Sequence, residues 1–454
     1  MPVMRPTDRD VVLRVEGLSL GGSGVAHLNG VEILVAGAAP QETVRARLTR
    51  TSRKGTQAQL IAVEDPSPVR VAPRCPHFGI CGGCLWQHVD YAAQAQAKEA
   101  IVAQTLAPIG AGAALPIRPI MVMDDPWMFR NKMEFSFQPP HRLGLHQRGR
   151  WDEVIDVQTC FLPSQTVMEI VAAVRAFVVE HNLVCYNTRT HEGFLRHLVV
   201  REGRATGELM VAIVTAPGPF AHAHALADTL VAQHPQIASI LWAINATHSD
   251  AVEVSESRVL HGRPFIFERL GGRIFKVGLL TFFQTNTAQA ERMIDVVAEF
   301  AHLGGTERVL DLYCGVGTFA LALSAQATEV IGVDASVASV EAARENAVLN
   351  GVSNATFQAL DVGHLEGQLP PETRFDVVIL DPPRAGAGAR VMRTIVRLAP
   401  PRVVYVSCNP TTLAADLQEL ISANYAIEAI QPLDLFPHTY HVECVVGLRR
   451  IPAA

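Results

Sequence analysis

Near the carboxyl end of the chain, two side chains are placed where covalent chemistry needs them. Cys408 closes the run Val403-Val404-Tyr405-Val406-Ser407 and is followed by Asn409-Pro410. The run is β-branched and aromatic, like a buried parallel strand, and Asn-Pro stops it, so the thiol is delivered to a strand's carboxyl end. That edge is where open α/β sheets bind ligands, and a thiolate there is a candidate nucleophile. A packing cysteine is the competing reading. Glu443, in His441-Val442-Glu443-Cys444, opens a later strand on the face opposite Cys444. A carboxylate at a strand start can serve as a base, or simply face water.

A second group of thiols has metal-site spacing. Cys75, Cys81 and Cys84 fall in a Cys-x5-Cys-x2-Cys loop whose Gly79, Gly82 and Gly83 let the backbone curl around one centre. A fourth thiolate from Cys160 or Cys185 would complete the site. Zinc with four thiolates and a cubane iron-sulfur cluster are both chemically possible, and spacing alone does not choose between them.

At 454 residues the chain calls for two or three domains, and 49% hydrophobic with 18% charged residues makes it globular. A net charge of -6 gives no global sign of a polyanion partner, so any nucleic-acid surface must be local. No signal pattern, membrane-length apolar run or internal repeat is present, and no obligate protein partner is evident. A cytoplasmic protein is expected, with thiols or metal ligands rather than disulfides.

Three segments must position these groups. Residues 1–68 carry short alternating runs at Val11 to Val15, Val31 to Val35, Thr43 to Leu48 and Gln57 to Val63, with Gly turns, which predict a small OB-like β-barrel. Arg45, Arg47, Arg50, Arg53 and Lys54 would give it a phosphate-binding edge, or a solvated charged loop. Residues 69–275 predict an α+β domain. Its helices lie at Tyr91 to Leu106, Ser164 to Glu180 and Ala221 to Gln233, its hairpin at His197 to Thr215 and a strand at Ile237 to Ile244. Within it, Phe129 to Phe137 alternates so that Arg130, Lys132 and Glu134 share a face, and His141, Arg142, His146, Arg148 and Arg150 follow. This is a basic stretch that would line an RNA groove or face water.

Residues 276–454 settle into a strand-then-helix rhythm of about seven strands, a doubly wound α/β sheet. The first strand runs into Asp311-Leu312-Tyr313-Cys314-Gly315-Val316-Gly317-Thr318, whose glycines allow a tight turn close to a ligand. Asp334 ends the second strand, where ribose hydroxyls are accepted, and Asp361 follows the third near an expected adenine edge. Asp381-Pro382-Pro383-Arg384 follows the fourth and resembles a class I methyltransferase motif that favours S-adenosylmethionine.

Taken in order, Phe282-Phe283-Gln284-Thr285-Asn286, the Asp311 to Gly317 turn, Asp381-Pro382-Pro383-Arg384, Ser407-Cys408-Asn409-Pro410 and His441-Val442-Glu443 resemble the RNA uracil-5-methyltransferases. Gly24-Val25-Ala26, Val35-Ala36-Gly37-Ala38 and Glu42-Thr43-Val44 look like a TRAM domain, a small RNA-binding barrel. With the cysteine loop, they make the chain similar to the iron-sulfur enzymes of the 23S ribosomal RNA branch. The resemblance implies that Cys75, Cys81, Cys84 and Cys160 hold a 4Fe-4S cluster, leaving Cys185 out. It carries the cofactor contacts to Gln284, Tyr313, Thr318, Asp334 and Asp381. Thr318 stands where Asn is frequent, and Asp334 where Glu is.

The implied reaction adds Cys408 to carbon 6 of uracil, methylates carbon 5 and uses Glu443 to remove the carbon 5 proton. Asp381 and Arg384 would lie near the reacting base, with Arg384 stabilising charge on a uracil oxygen. Phe282 or Phe283 would stack on a flipped-out base, or belong to the core. Cys314 and Cys444 are assigned to packing. Ribosomal RNA is the favoured partner and transfer RNA the nearest alternative. A non-catalytic RNA-binding iron-sulfur protein is the reading from outside enzymology.

Overall fold

The computed structural model describes residues 10–52, 55–110, 112, 114–368 and 372–452. At the amino end, β1 (Asp10–Leu18), β2 (Gly24–Leu28), β3 (Val31–Ala36), β4 (Thr43–Ser52) and β5 (Gly55–Asp65) close into a barrel in the order β1-β2-β3-β5-β4. Alternation sends Leu13, Val15, Ile33, Val35, Val44 and Ala46 inward to fill it. The expected cationic edge is modified by pairing. Arg45 meets Glu64 at 2.6 Å and Arg47 meets Asp10 at 2.8 Å, because β4 lies between β1 and β5, which carry those acids. Arg53, Lys54 and the Arg50 side chain lie outside the described residues.

The middle segment opens with α1 (Tyr91–Leu106), started by Asp90, whose carboxylate accepts from the Ala92 and Ala93 amides. There follow β6 (Lys132–Gln138), β7 (Arg142–Gln147), β8 (Arg150–Asp156), α2 (Gln165–Glu180), β9 (Leu195–Glu202), β10 (Leu209–Thr215), α3 (Ala223–Gln233), β11 (Ile237–Ile244) and β12 (Glu256–Gly262). They form one sheet in the order β12-β11-β10-β9-β6-β7-β8. The central strands are apolar on both faces. Leu198, Val200, Val211 and Ile213 share a core with α2 and α3, whereas Val199, Met210, Ala212 and Val214 join a core that continues into the carboxyl-terminal segment. The hairpin of β7 and β8, read from sequence only as a basic stretch, is hidden there by the charged residues of β8 and by its tight turn at Gly149 (φ +73°).

A two-stranded hairpin, β13 (Phe265–Leu270) and β14 (Arg273–Gly278), leads into α4 (Thr287–Ala301). The last sheet is built from β15 (Arg308–Leu312), α5 (Thr318–Leu323), β16 (Glu329–Asp334), α6 (Val337–Leu349), β17 (Ala355–Ala359), β18 (Val377–Leu380), α7 (Gly388–Leu398), β19 (Arg402–Ser407), α8 (Pro410–Ser422), β20 (Tyr425–Leu433) and β21 (Glu443–Arg450). Its strand order is β17-β16-β15-β18-β19-β21-β20, with β21 antiparallel to both neighbours and the other strands parallel. The expected seven-stranded doubly wound sheet is therefore present. Its order reverses at β15, which is flanked by β16 and β18, and a ligand crevice opens at such a switch point. One face is covered by α4, α5 and α6, the other by α1, α7 and α8. Among the described residues no helix is long and apolar enough to cross a membrane.

Candidate active site

Cys408 lies at the carboxyl end of β19, directly before α8, whose first residue is Pro410 and whose cap is Asn409. The Asn409 side chain accepts from the Thr411 amide at 3.1 Å and donates to the Arg384 carbonyl at 3.0 Å, so it holds the loop after β18 beside the thiol. In the β19–β21 register Ser407 faces Cys444, which brings Cys408 and Glu443 to adjoining positions at the sheet's edge. Burial, then the Glu443 and Asp381 carboxyls, push the Cys408 thiol up to about 11, and Arg384 opposes them. Burial raises Glu443 to about 8, with Asp381 adding and Arg384 opposing, and raises Asp381 to about 7. The four expected catalytic residues thus form one electrostatic group.

Asp311, quoted in the sequence motif but given no role, belongs to the same crevice. Its carboxyl is buried at the end of β15 and accepts from the Ala320 amide at 3.0 Å, while Oδ1 has no hydrogen-bond partner. Burial pushes it to about 8, with Asp381 and Asp334 adding. Buried carboxyls raised in this way stabilise a cation brought among them, which fits the sulfonium of S-adenosylmethionine. The turn beyond Asp311 places Tyr313 at φ +62° and Gly317 at φ +87°; a Cβ at Gly317 would meet the Phe357 ring at 3.1 Å.

The other expected cofactor residues lie on several elements. Asp334 accepts from the Gly315 amide at 3.0 Å and the Ser336 amide at 2.8 Å, so it also shapes the glycine turn. Thr318 begins α5 and is half-buried. Asp361 is exposed and caps a short turn through the Gly363 amide at 2.8 Å. Gln284 lies on the loop before α4, and its carbonyl accepts from the Asn131 side chain at 2.9 Å. Asn131, to which the sequence motifs assign no role, thereby holds the loop that carries Gln284. Its partner lies across the fold, and no local pattern signals it. Of the two Phe residues before Gln284, Phe283 is buried in the core and Phe282 is 71% exposed. Cys314 and Cys444 are buried in the two cores.

The loop leading to β21 is gripped by the cysteine segment. The His438 carbonyl, from a residue at φ +65°, accepts from the Leu85 and Trp86 amides at 2.8 and 3.0 Å, immediately after Cys84. Trp127 stacks on the His438 ring at 3.9 Å, and Arg74, beside Cys75, lies over both Trp127 and Phe161. Further along, the His441 ring leans on Tyr440 at 4.2 Å and meets the Arg384 guanidinium at 3.4 Å. Lys98 of α1 reaches Asp434 at 2.6 Å and the Phe436 carbonyl at 3.0 Å, with both charges fully buried. Removing one partner of such a pair strands the other charge, so Lys98→Ala is expected to cost about 3–5 kcal/mol. Denaturant unfolding measures this, and Lys98→Met with Asp434→Leu should recover much of the loss.

Cys75, Cys81, Cys84 and Cys160 are electrostatic neighbours: burial, then the nearby thiols, take Cys84 to about 12 and Cys160 to about 11. Cys185 lies in the central core, raised by burial alone. Among the described residues, no three His, Cys, Asp or Glu converge on a single ion position.

The strand order and the crevice define a class I methyltransferase fold. The family model for tRNA (uracil-5-)-methyltransferase matches residues 254–451. A Bacillus cereus protein described as an uncharacterized RNA methyltransferase is 33% identical, over 99% of this chain and 98% of its own. One from Porphyromonas gingivalis is 35% identical, over 96% and 99%. The Pyrococcus abyssi tRNA (uracil-54, C5)-methyltransferase, solved with S-adenosyl-L-homocysteine, superimposes with a TM-score of 0.78 at 30% identity, covering 96% of this chain and all of that one. The chain belongs to the RNA uracil-5-methyltransferase family and is an S-adenosylmethionine-dependent enzyme acting on RNA.

Proposed function

We propose that the enzyme methylates carbon 5 of one uridine through a covalent adduct between Cys408 and carbon 6 of the base. The convergence of Cys408, Glu443, Asp381 and Arg384 on one sheet edge carries this reading. Carbon 5 of uracil is a poor nucleophile. The Cys408 thiolate adds at carbon 6, and the electrons of the carbon 5–carbon 6 double bond move toward carbon 5 and the ring oxygen, where Arg384 stabilises them. When bound, S-adenosylmethionine would supply an electrophilic methyl, the sulfur–methyl electron pair staying with sulfur as S-adenosylhomocysteine departs. The residues proposed to hold it are Gln284, Tyr313, Thr318, Asp334, Asp361 and Asp381. Once carbon 5 carries the methyl, Glu443 removes the carbon 5 proton. The electron pair then re-forms the double bond and expels Cys408. Phe282, exposed beside Gln284, is suited to stacking on the flipped base.

For the metal, the mutual proximity of the four thiols supports a 4Fe-4S cluster on Cys75, Cys81, Cys84 and Cys160. Bound there, it would cross-link the loop that grips His438. Anaerobic purification is expected to give brown protein with about four iron atoms per chain; colourless, iron-free protein would refute the assignment.

Ribosomal RNA is the substrate class that the sequence resemblance favours. The likeness to the Pyrococcus abyssi enzyme supports the second reading, transfer RNA. That match covers 96% of this chain and all of the other, so the overall fold does not separate the two. Comparing 5-methyluridine in ribosomal and transfer RNA from cells with and without the gene tests both. Loss from ribosomal RNA alone supports the first, and loss from transfer RNA alone overturns it.

A further inference from the structure

Two concavities adjoin on the middle sheet. The first, about 590 Å³, is lined by Phe282, Lys132, Arg130 and His146 and reaches Gly82 and Gly83 of the cysteine loop. The second, about 670 Å³, is lined by Trp151, Thr188, Arg189, His191, His248 and Asp250. His146 of the first pairs with Asp250 of the second at 3.3 Å, so the two share a wall. The second concavity is therefore a neighbour of the one that holds the exposed Phe282, beside Gln284.

Trp151 is 63% exposed, at the start of β8 just beyond the turn Arg148-Gly149-Arg150. The side chains around it are polar, and several are planar. His191 lies against His248 at 4.3 Å and is held by the Tyr186 hydroxyl at 3.2 Å. Arg150 and Arg189 both pair with Asp152, and one carboxylate shared by two guanidiniums leaves surplus positive charge. Arg148 adds another exposed cation on the same hairpin. An exposed indole among guanidiniums and imidazoles matches an unpaired nucleotide, whose base stacks while its phosphate meets arginine.

We propose that this second concavity binds one unpaired nucleotide of the RNA substrate outside the target uridine, with its base stacked on Trp151 and its phosphate met by Arg189. The inference rests on the RNA-modifying activity and is independent of the Cys408 mechanism. A ten-residue oligouridylate is expected to quench tryptophan fluorescence in the wild type, and Trp151→Ala should remove that quenching. With total RNA from cells lacking the gene as methyl acceptor, Trp151→Ala is expected to raise KM roughly 5- to 100-fold, the loss of one base stack. The effect should fall on KM rather than kcat, and Trp151→Phe should restore most of it. An unchanged KM in Trp151→Ala, a Phe variant as poor as the Ala variant, or no quenching by oligouridylate would overturn the proposal. Absence of methyl transfer to any RNA by the wild type would instead count against the proposed function, because quenching is read without turnover.

Discussion

Cys408→Ala is expected to abolish methyl transfer to RNA while leaving S-adenosylmethionine binding in place. Without a nucleophile at carbon 6, carbon 5 never gains the electron density needed to attack a methyl group. The loss should be at least about 10⁴-fold, the scale seen when a covalent nucleophile is removed. Cofactor binding should survive because the residues proposed for it sit on other elements: the loop before α4, the turn after β15 and the ends of β16, β17 and β18. The fold should survive too, since Cys408 is only half-buried and is absent from the buried cores. Cys408→Ser should be nearly as inactive, because a hydroxyl gives up its proton far less readily than a thiol and its oxygen is the poorer nucleophile and leaving group. Radiolabelled methyl incorporation and a calorimetric cofactor titration read the two halves separately. Turnover within tenfold of wild type would remove Cys408 from its role.

The catalytic sheet was legible because its signals are local. Buried parallel strands such as Val403 to Ser407 announce themselves as short apolar runs, and Asn409-Pro410 marks the helix start with its own cap. The acids and the thiol stand at run ends, so the edge they share follows from topology alone. The middle segment was less legible at its margins. The edge strand β12 exposes most of its side chains, and β8 buries only Asp152 and Val154, so neither shows a strong apolar alternation. Contacts between distant segments left no trace in spacing. Asn131 reaches the Gln284 carbonyl, His441 meets Arg384, and the amides after Cys84 grip His438, each across a separation that no periodicity encodes. The pairing of Arg45 and Arg47 was hidden likewise, since Glu64 and Asp10 become neighbours only when the barrel closes.

These long-range contacts change what the cysteine loop does. Leu85 and Trp86 hold His438 from one side while Lys98 holds Asp434 and Phe436 from another, and the same loop then presents His441 to Arg384 and enters β21 at Glu443. The thiol-bearing segment therefore helps to hold the backbone that leads into Glu443, the proposed base.

Glu443→Gln is expected to stall the enzyme after methylation, leaving RNA covalently attached to Cys408. Addition and methyl transfer draw on Cys408, Arg384 and the cofactor, whereas elimination needs a base at carbon 5. Glutamine keeps the volume of this buried side chain and cannot accept the proton. The adduct should appear as a retarded band on a denaturing gel, carrying label from the methyl donor. The pH dependence has a definite sign. Burial and Asp381 raise the carboxyl to about 8, so the competent carboxylate is the minor form at pH 7, roughly one in ten, and becomes dominant as pH climbs past 8. Release of methylated RNA by the wild type should accelerate with pH through that region and then level off, and adduct decay in the Gln variant should show no such inflection. Full turnover by Glu443→Gln with no trapped band would assign proton removal to another group, and Asp381, raised to about 7 in the same crevice, would be the next to test.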